Sequence, residues 1–167
     1  MITLARQFKQ RYINRNTGLN LYRRLENLFK ENPEINQLFP FEAFGKHYVY
    51  EPSRQTLDHP DIYINQVRYY RLYRFFKENY PEMLSDKISI ADVGDTSGLL
   101  FKAMKRPQGL SVNINADVVD FIKSTGVEAK MGDIERLPFQ DKSFDYTFSF
   151  QCLEHLCNPI RALSERR

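Results

Sequence analysis

Apolar residues recur along this chain with two different spacings, and the change from one to the other divides it. Through the first half the spacing is helical. Leu4, Phe8 and Tyr12 step along one side of Ile2 to Asn14, which predicts an amphipathic helix. Leu21, Leu25, Leu28 and Phe29 do the same from Leu21 to Glu31, with Thr17 or Asn20 available as the cap. Asn32-Pro33 ends that helix, because proline disfavours α conformation in the residue before it. From Glu34 to Asp58, Pro40, Gly45 and Pro52 interrupt a run rich in aromatics, which predicts an irregular segment packed on the domain. Asp58-His59-Pro60-Asp61 then opens the longest helix, which reaches about Tyr80. Proline in its first turn and acids near its start agree with that beginning. Ile64, Val67, Tyr70 (or Arg71) and Phe75 mark its apolar face.

Short strand-like runs replace this pattern after Ser85. Ile88-Ser89-Ile90-Ala91 reads as a strand buried on both faces. It runs into the small polar turn Asp92 to Gly98, and Leu99 to Met104 follows as a helix. Leu110 to Asn115 is a second strand, and Asp117 to Ser124 a helix carrying Val118, Val119, Phe121 and Ile122. Val127 to Met131 is a third strand, Ile134 to Ser143 a loop, and Phe144 to Phe150 a fourth strand. Cys152 to Leu156 reads as a helical turn, and Pro159 starts a last helix, Ile160 to Arg167. Strands alternating with helices predict a parallel sheet with right-handed crossovers. The expected fold is therefore α/β and Rossmann-like: a helical, aromatic-rich extension over 1–85 and a parallel-sheet core over 86–167. The turn after the first strand places the free N–H groups of a helix start at the carboxyl end of a strand. Ligands of open α/β sheets bind there.

Composition narrows the function classes. The 167 residues suffice for one ordinary domain plus an extension, and 42% hydrophobic with 14% aromatic residues supports a packed core. The net charge of +3 is uneven: 13 basic against 9 acidic residues up to Ser85, then 11 against 12. This lacks the dense basic patch of a nucleic-acid binder, so no nucleic-acid partner is expected. The fourth predicted element interleaves Tyr69, Tyr70, Tyr73, Phe75 and Phe76 with Arg68, Arg71, Arg74 and Lys77. Rings stacked on bases are one reading; rings packed in a core with solvated cations is the favoured one. Cys152 and Cys157 lie five apart and His47, His59 and His155 are scattered, so neither a metal site nor a disulfide framework is predicted. That usage suits a reducing, cytoplasmic setting. No run of about 18 apolar residues predicts a transmembrane helix, and the start lacks the apolar core of a signal peptide. Met1 to Arg24, basic and free of acids, faintly resembles an organellar transit sequence. A packed helix is favoured there.

The block Ile88 to Leu163 carries a further pattern. Gly132-Asp133-Ile134-Glu135-Arg136-Leu137-Pro138-Phe139 is followed by Ser143-Phe144-Asp145 and then Leu153-Glu154-His155. In that order, after a glycine turn, these residues resemble the class I S-adenosylmethionine-dependent methyltransferases, and among them the small-molecule "type 11" branch. The resemblance implies S-adenosylmethionine as cofactor and an acceptor that is a small molecule, lipid or sugar. It assigns Asp92, Gly94, Asp95 and Gly98 to the loop beneath the methionine part of the cofactor. Asn113 takes the place of an acid that grips the ribose hydroxyls, with Ile114 beside it. Asp133 and Ile134 match the pair that meets the adenine, and Ser149, Phe150 and Gln151 the segment flanking the sulfonium.

Three departures from the family pattern stand out. Thr96 replaces a glycine, and a β-branched residue resists positive φ, so a reshaped loop is expected. Asn113 replaces the ribose acid and loses its charge-assisted contact. The sequence stops at Arg167, where the family continues with further strands. The fourth strand would then be an apolar sheet edge: either the chain is a fragment of such an enzyme, or a second copy, a partner or the N-terminal region covers that edge. Methyl transfer needs positioning more than acid–base groups, so no catalytic residue is assigned; His155 and Glu154 are read as structural parts of their turn. The competing function is a non-catalytic domain of the same fold, kept for binding or assembly.

Overall fold

The structure, a computed structural model, describes residues 16–47, 60–106 and 108–165. The helix expected over Ile2 to Asn14 lies outside them, as does 48–59. The chain divides into two compact units, Met1–Arg71 and Leu72–Arg167.

The first unit is helical. Helix α1 (Asn16–Glu31) begins five residues earlier than expected, so Thr17 and Asn20 lie inside it and do not cap it. It stops before Asn32-Pro33, where the Asn32 amide turns back to the Leu28 carbonyl at 2.8 Å. The segment expected to be irregular instead forms two short helices, α2 (Ile35–Leu38) and α3 (Phe41–His47). Pro33 and Pro40 sit just ahead of them, where a missing N–H costs a helix nothing. These prolines punctuate helices and do not prevent them.

Helix α4 (Pro60–Asn79) runs through the boundary between the units. In the first unit Ile62, Gln66, Val67, Tyr69 and Tyr70 are buried against Ile35, Phe39 and Phe44. The tyrosines are core residues. Tyr69 meets Phe39 and Phe44 at ring separations of 5.9 and 5.5 Å, and Tyr63 meets Phe41 at 5.0 Å. The Tyr70 hydroxyl donates to Asn32 Oδ1 at 2.9 Å and also to Glu34. The buried stripe differs from the expected one: Phe75 is 49% exposed and Phe76 is buried. Gln66, a polar letter, takes a fully buried place because its Nε2 donates to the Phe39 carbonyl at 2.7 Å.

The second unit holds a four-stranded sheet. Its strands are β1 (Ile90–Val93), β2 (Leu110–Asn113), β3 (Ala129–Met131) and β4 (Tyr146–Phe148). They lie in the order β3-β2-β1-β4, every pair parallel. Helix α5 (Leu99–Ala103) joins β1 to β2, and α6 (Ala116–Ser124) joins β2 to β3. After β3 the chain crosses back over β1 to β4, which puts the reversal of strand order between β1 and β4. β1 starts and ends two residues later than expected, because Asp92 looks like a strand end by polarity yet is 4% exposed. β4 is three residues long and not seven, and Tyr146, Thr147 and Phe148 are half-buried at the sheet's edge. β2 ends at Asn113 and β3 begins at Ala129, each shorter than predicted.

Alternation along the strands sorts the two faces. Ala91, Val93 and Val112 pack on one face with Ile134 and Ala162. Ala162 belongs to the last helix, α7 (Pro159–Ser164), which ends before the predicted Arg167. On the other face Phe148 lies between Phe76, at 4.9 Å, and Phe101, at 6.1 Å. The buried Arg106 guanidinium donates to the carbonyls of Met83, Ser85 and Ile88, and so fastens the 3-10 turn Pro81–Leu84 ahead of β1.

Candidate functional site

The carboxyl ends of β1 and β2 bring half of the predicted residues together, Asp92, Gly94, Asp95, Gly98 and Asn113. Where β1 ends, the Gly94 amide still donates to the Val112 carbonyl at 2.7 Å, and φ turns to +93°. Glycine is needed there twice over. The left-handed backbone excludes other residues cheaply, and a Cβ would lie 2.5 Å from Cys152 Sγ. Gly98, also left-handed at φ +68°, starts α5. Thr96 is not among the residues with positive φ. The turn therefore takes its left-handed steps at the two glycines, and the β-branched residue between them is not strained.

Asp95 is 5% exposed and its carboxylate faces inward. It accepts from the amides of Ser97 (2.8 Å) and Gly98 (2.9 Å) and from the Ser111 hydroxyl (2.5 Å). Its side chain thus holds the turn together. Asn113, 9% exposed, is likewise engaged: Nδ2 donates to the Asp95 carbonyl at 2.8 Å, and Oδ1 accepts from the Asn115 amide at 2.9 Å. Asn115 in turn caps α6 through its side chain, which accepts from Asp117 and Val118.

The remaining predicted residues are more dispersed. Ile114 is 68% exposed at the end of β2, and Asp133 is exposed beyond β3. Asp133 Oδ1 accepts from the Glu135 amide at 2.9 Å, and its backbone bridges to Arg136. Ile134 has its side chain 7% exposed, in the core with Ala91 and Val112, so only its backbone faces outward with Asp133. The signature block around it is tied to the end of the chain by two carboxylates. Glu135 accepts from the Asn158 amide at 2.8 Å, and Glu165 from the Leu137 amide at 3.1 Å. After β4, Phe150 is half-buried, and exposed Gln151 holds a left-handed φ of +53°. His155 and Glu154 are exposed on a 3-10 turn.

Sequence reasoning missed Ser111, Asn115 and Cys152. Period-two alternation puts Ser111 on the same face of β2 as Asn113, and asparagine ahead of a helix is a capping signal. Those two were findable. Cys152 over Gly94 was not, because that contact depends on the sheet being assembled.

A shallow cavity of about 40 Å³ is lined by Ala91, Val93, Leu137, Phe139, Thr147 and Glu165, among others, and by none of the predicted site residues. Resolved shifts in acidity lie at the amino ends of the strands. Ser89, through its backbone and then its hydroxyl, holds the Asp145 carboxyl below its usual range. The Tyr146 hydroxyl does the same to Glu82. Among the described residues no cluster of three or more His, Cys, Asp or Glu is placed to hold a metal, and no helix is long and apolar enough to cross a membrane.

A buried parallel strand, a left-handed glycine turn and a helix, followed by the Gly132–Phe139 block, coincide with a family match. Residues 91–167 match the family described as "Methyltransferase domain". Over this segment, a little under half of the chain, the sequence is similar to a methyltransferase domain. The cofactor of such a methyltransferase domain is S-adenosylmethionine. No curated protein matches the chain. Among solved structures it is similar to a chain in a complex between the Haloferax volcanii Trm112 methyltransferase activator and a methyltransferase. There the identity is 19%, the coverage 59% of this chain and 49% of that one, and the TM-score 0.45. For an S-adenosylmethionine-dependent methyltransferase from Thermotoga maritima the values are 22%, 62%, 51% and 0.45. For the plantazolicin methyltransferase BpumL, solved with S-adenosylhomocysteine, they are 15%, 80%, 55% and 0.39. The chain spans about half the length of these structures.

Proposed function

We propose that the Leu72–Arg167 unit is the cofactor-binding part of a methyltransferase acting on a small-molecule, lipid or sugar acceptor in the cytoplasm. The observation that carries this reading is the turn from Val93 to Leu99. Its two left-handed glycines follow a fully buried parallel strand beside the point where strand order reverses. S-adenosylmethionine, when bound, supplies a sulfonium methyl for in-line displacement. The chain's own residues then have to bind and orient. Asp92 backs the turn, while Gly94 and Gly98 keep side chains out of it. Exposed Ile114 and Asp133, at the ends of β2 and β3, offer an apolar surface and a carboxylate to the adenine end. Phe150 and Gln151 flank the sulfonium end after β4. The fit is good at the turn and weak at Asn113, whose amide is already bonded at both ends.

That weakness favours a second reading, a domain of this fold kept for assembly. Cys152 packed over Gly94 points the same way. The edge position of β4 and the exposed Ile160 and Leu163 of α7 would suit a second copy or a partner.

Calorimetric titration with S-adenosylmethionine and S-adenosylhomocysteine, alongside thermal melts, separates the two readings. At a ligand concentration of about 100 times Kd, one-site binding adds roughly 2.7 kcal/mol of apparent stability. Saturable binding that weakens in Gly94→Ala supports the enzyme. A folded sample with neither heat nor shift overturns it, and association in a sedimentation run would then support assembly.

A further inference from the structure

The turns after β1 and β2 are joined by a run of hydrogen bonds that is buried from Asp95 to Asn113 and reaches the surface at Asn115. It starts at the Asp95 carboxylate, which gathers the Ser97 and Gly98 amides and the Ser111 hydroxyl. It continues from the Asp95 carbonyl to Asn113 Nδ2, and from Asn113 Oδ1 to the Asn115 amide. Asn115 then caps α6. Asn113 is the only link in this run that gives a side-chain donor to one turn and a side-chain acceptor to the other.

An amide can do this and a carboxylate cannot. Ionised aspartate accepts only, so at position 113 it would turn an oxygen toward the Asp95 carbonyl with no proton between them. Swinging Asn113 toward a ligand would break both bonds and strand a nearly buried carbonyl. We propose that Asn113 is a positioning residue: it bolts the Gly94–Gly98 turn to the start of α6 and does not itself grip the cofactor's ribose. This rests on the cofactor-binding reading above. It also accounts for asparagine where the resemblance leads one to expect an acid. The neutral amide is what the bolt requires.

The test compares wild type with Asn113→Asp and Asn113→Ala, using S-adenosylhomocysteine and its 2′-deoxy analogue as probes. Both variants should bind each probe about tenfold more weakly, the effect of losing one buried hydrogen bond in the free protein. The factor should be the same for the two probes, because the lost bond is not to the ribose. Without ligand, Asn113→Ala should speed hydrogen exchange at the amides of Ser97, Gly98 and Asn115. Tighter binding by Asn113→Asp, or a loss confined to the probe that keeps its 2′-hydroxyl, overturns the proposal. If wild type binds neither probe, the cofactor reading fails, and the exchange comparison still decides the bolt: unchanged protection at those amides overturns it. Should Asn113→Ala melt out, Asn113→Ser carries the same exchange comparison.

Discussion

Two aspartates at opposite rims of the sheet make the same kinds of bond in different surroundings. Asp95, at the carboxyl rim, accepts from two backbone amides and the hydroxyl of Ser111. Asp145, at the amino rim, accepts from the Ser89 amide at 2.7 Å and the Ser89 hydroxyl at 2.8 Å. Asp95 is 5% exposed, whereas Asp145 and Ser89 lie in the open. Water can replace any bond at Asp145 and almost none at Asp95. The same chemistry therefore holds the glycine turn after β1 in one place and trims a strand end in the other. An unmade bond costs most where the dielectric is low.

The largest expected effect follows from removing the buried carboxylate. Asp95→Ala leaves the Ser97 and Gly98 amides and the Ser111 hydroxyl without their acceptor, at a cost of about 3–5 kcal/mol. Asp95→Asn keeps one acceptor oxygen and should lose about half as much. Urea unfolding, followed by circular dichroism, measures both. If Asp95→Ala costs no more than the corresponding change at Asp145, burial is not what separates the rims.

Gly94→Ala sharpens the contrast from the backbone side. The left-handed φ of +93° alone costs a residue with Cβ about 1–2 kcal/mol. The approach to Cys152 Sγ at 2.5 Å adds a clash, for a total of about 2–3 kcal/mol. Cys152→Ala in the same chain should recover about 1 kcal/mol of that at most, because it removes the Sγ contact but leaves the φ and the Cys152 Cβ, which lies 2.9 Å away. Strict additivity in that double-mutant cycle would mean that the two residues do not meet.

How far the sequence announced all this depends on the length scale of each cause. Alternation of strand-like and helical runs was enough for a parallel α/β unit, and the glycines at 94 and 98 marked the turn. Burial of a polar residue misled the reading at two places. Asp92 extended β1 past its apparent stop, and Gln66 entered the core of the first unit. Pro33 ended α1 as expected, but that it and Pro40 also stand just ahead of new helices was not read. Asn113 and Asp95 were singled out from a resemblance, yet their side-chain bonds link positions 18 apart and follow only from β1 lying beside β2. Ile134 shows the opposite limit, since the residue was noticed but its direction, into the core, is set by the assembled sheet.

The smallest effect belongs to the amino rim and is a dependence on pH. Ser89 bonds hold the Asp145 carboxyl below its usual range, so the folded chain binds fewer protons there than the unfolded one. The stabilisation is fully present above the unfolded value, about 3.9, and is lost as pH falls through the depressed folded value. Glu82 acts in the same direction, with Tyr146 as its donor at 2.5 Å. Ser89→Ala removes the hydroxyl bond but keeps the larger backbone contribution, so it should flatten the acid limb of a stability-against-pH curve below about pH 4 only in part and shift the neutral plateau only slightly. The two serines provide the last comparison. Ser111→Ala removes a donor from a buried carboxylate and Ser89→Ala from an exposed one. The Ser111 change should lower the plateau at every pH, and the Ser89 change should be seen mainly in acid. Equal plateaus for the two variants would erase the difference between the rims.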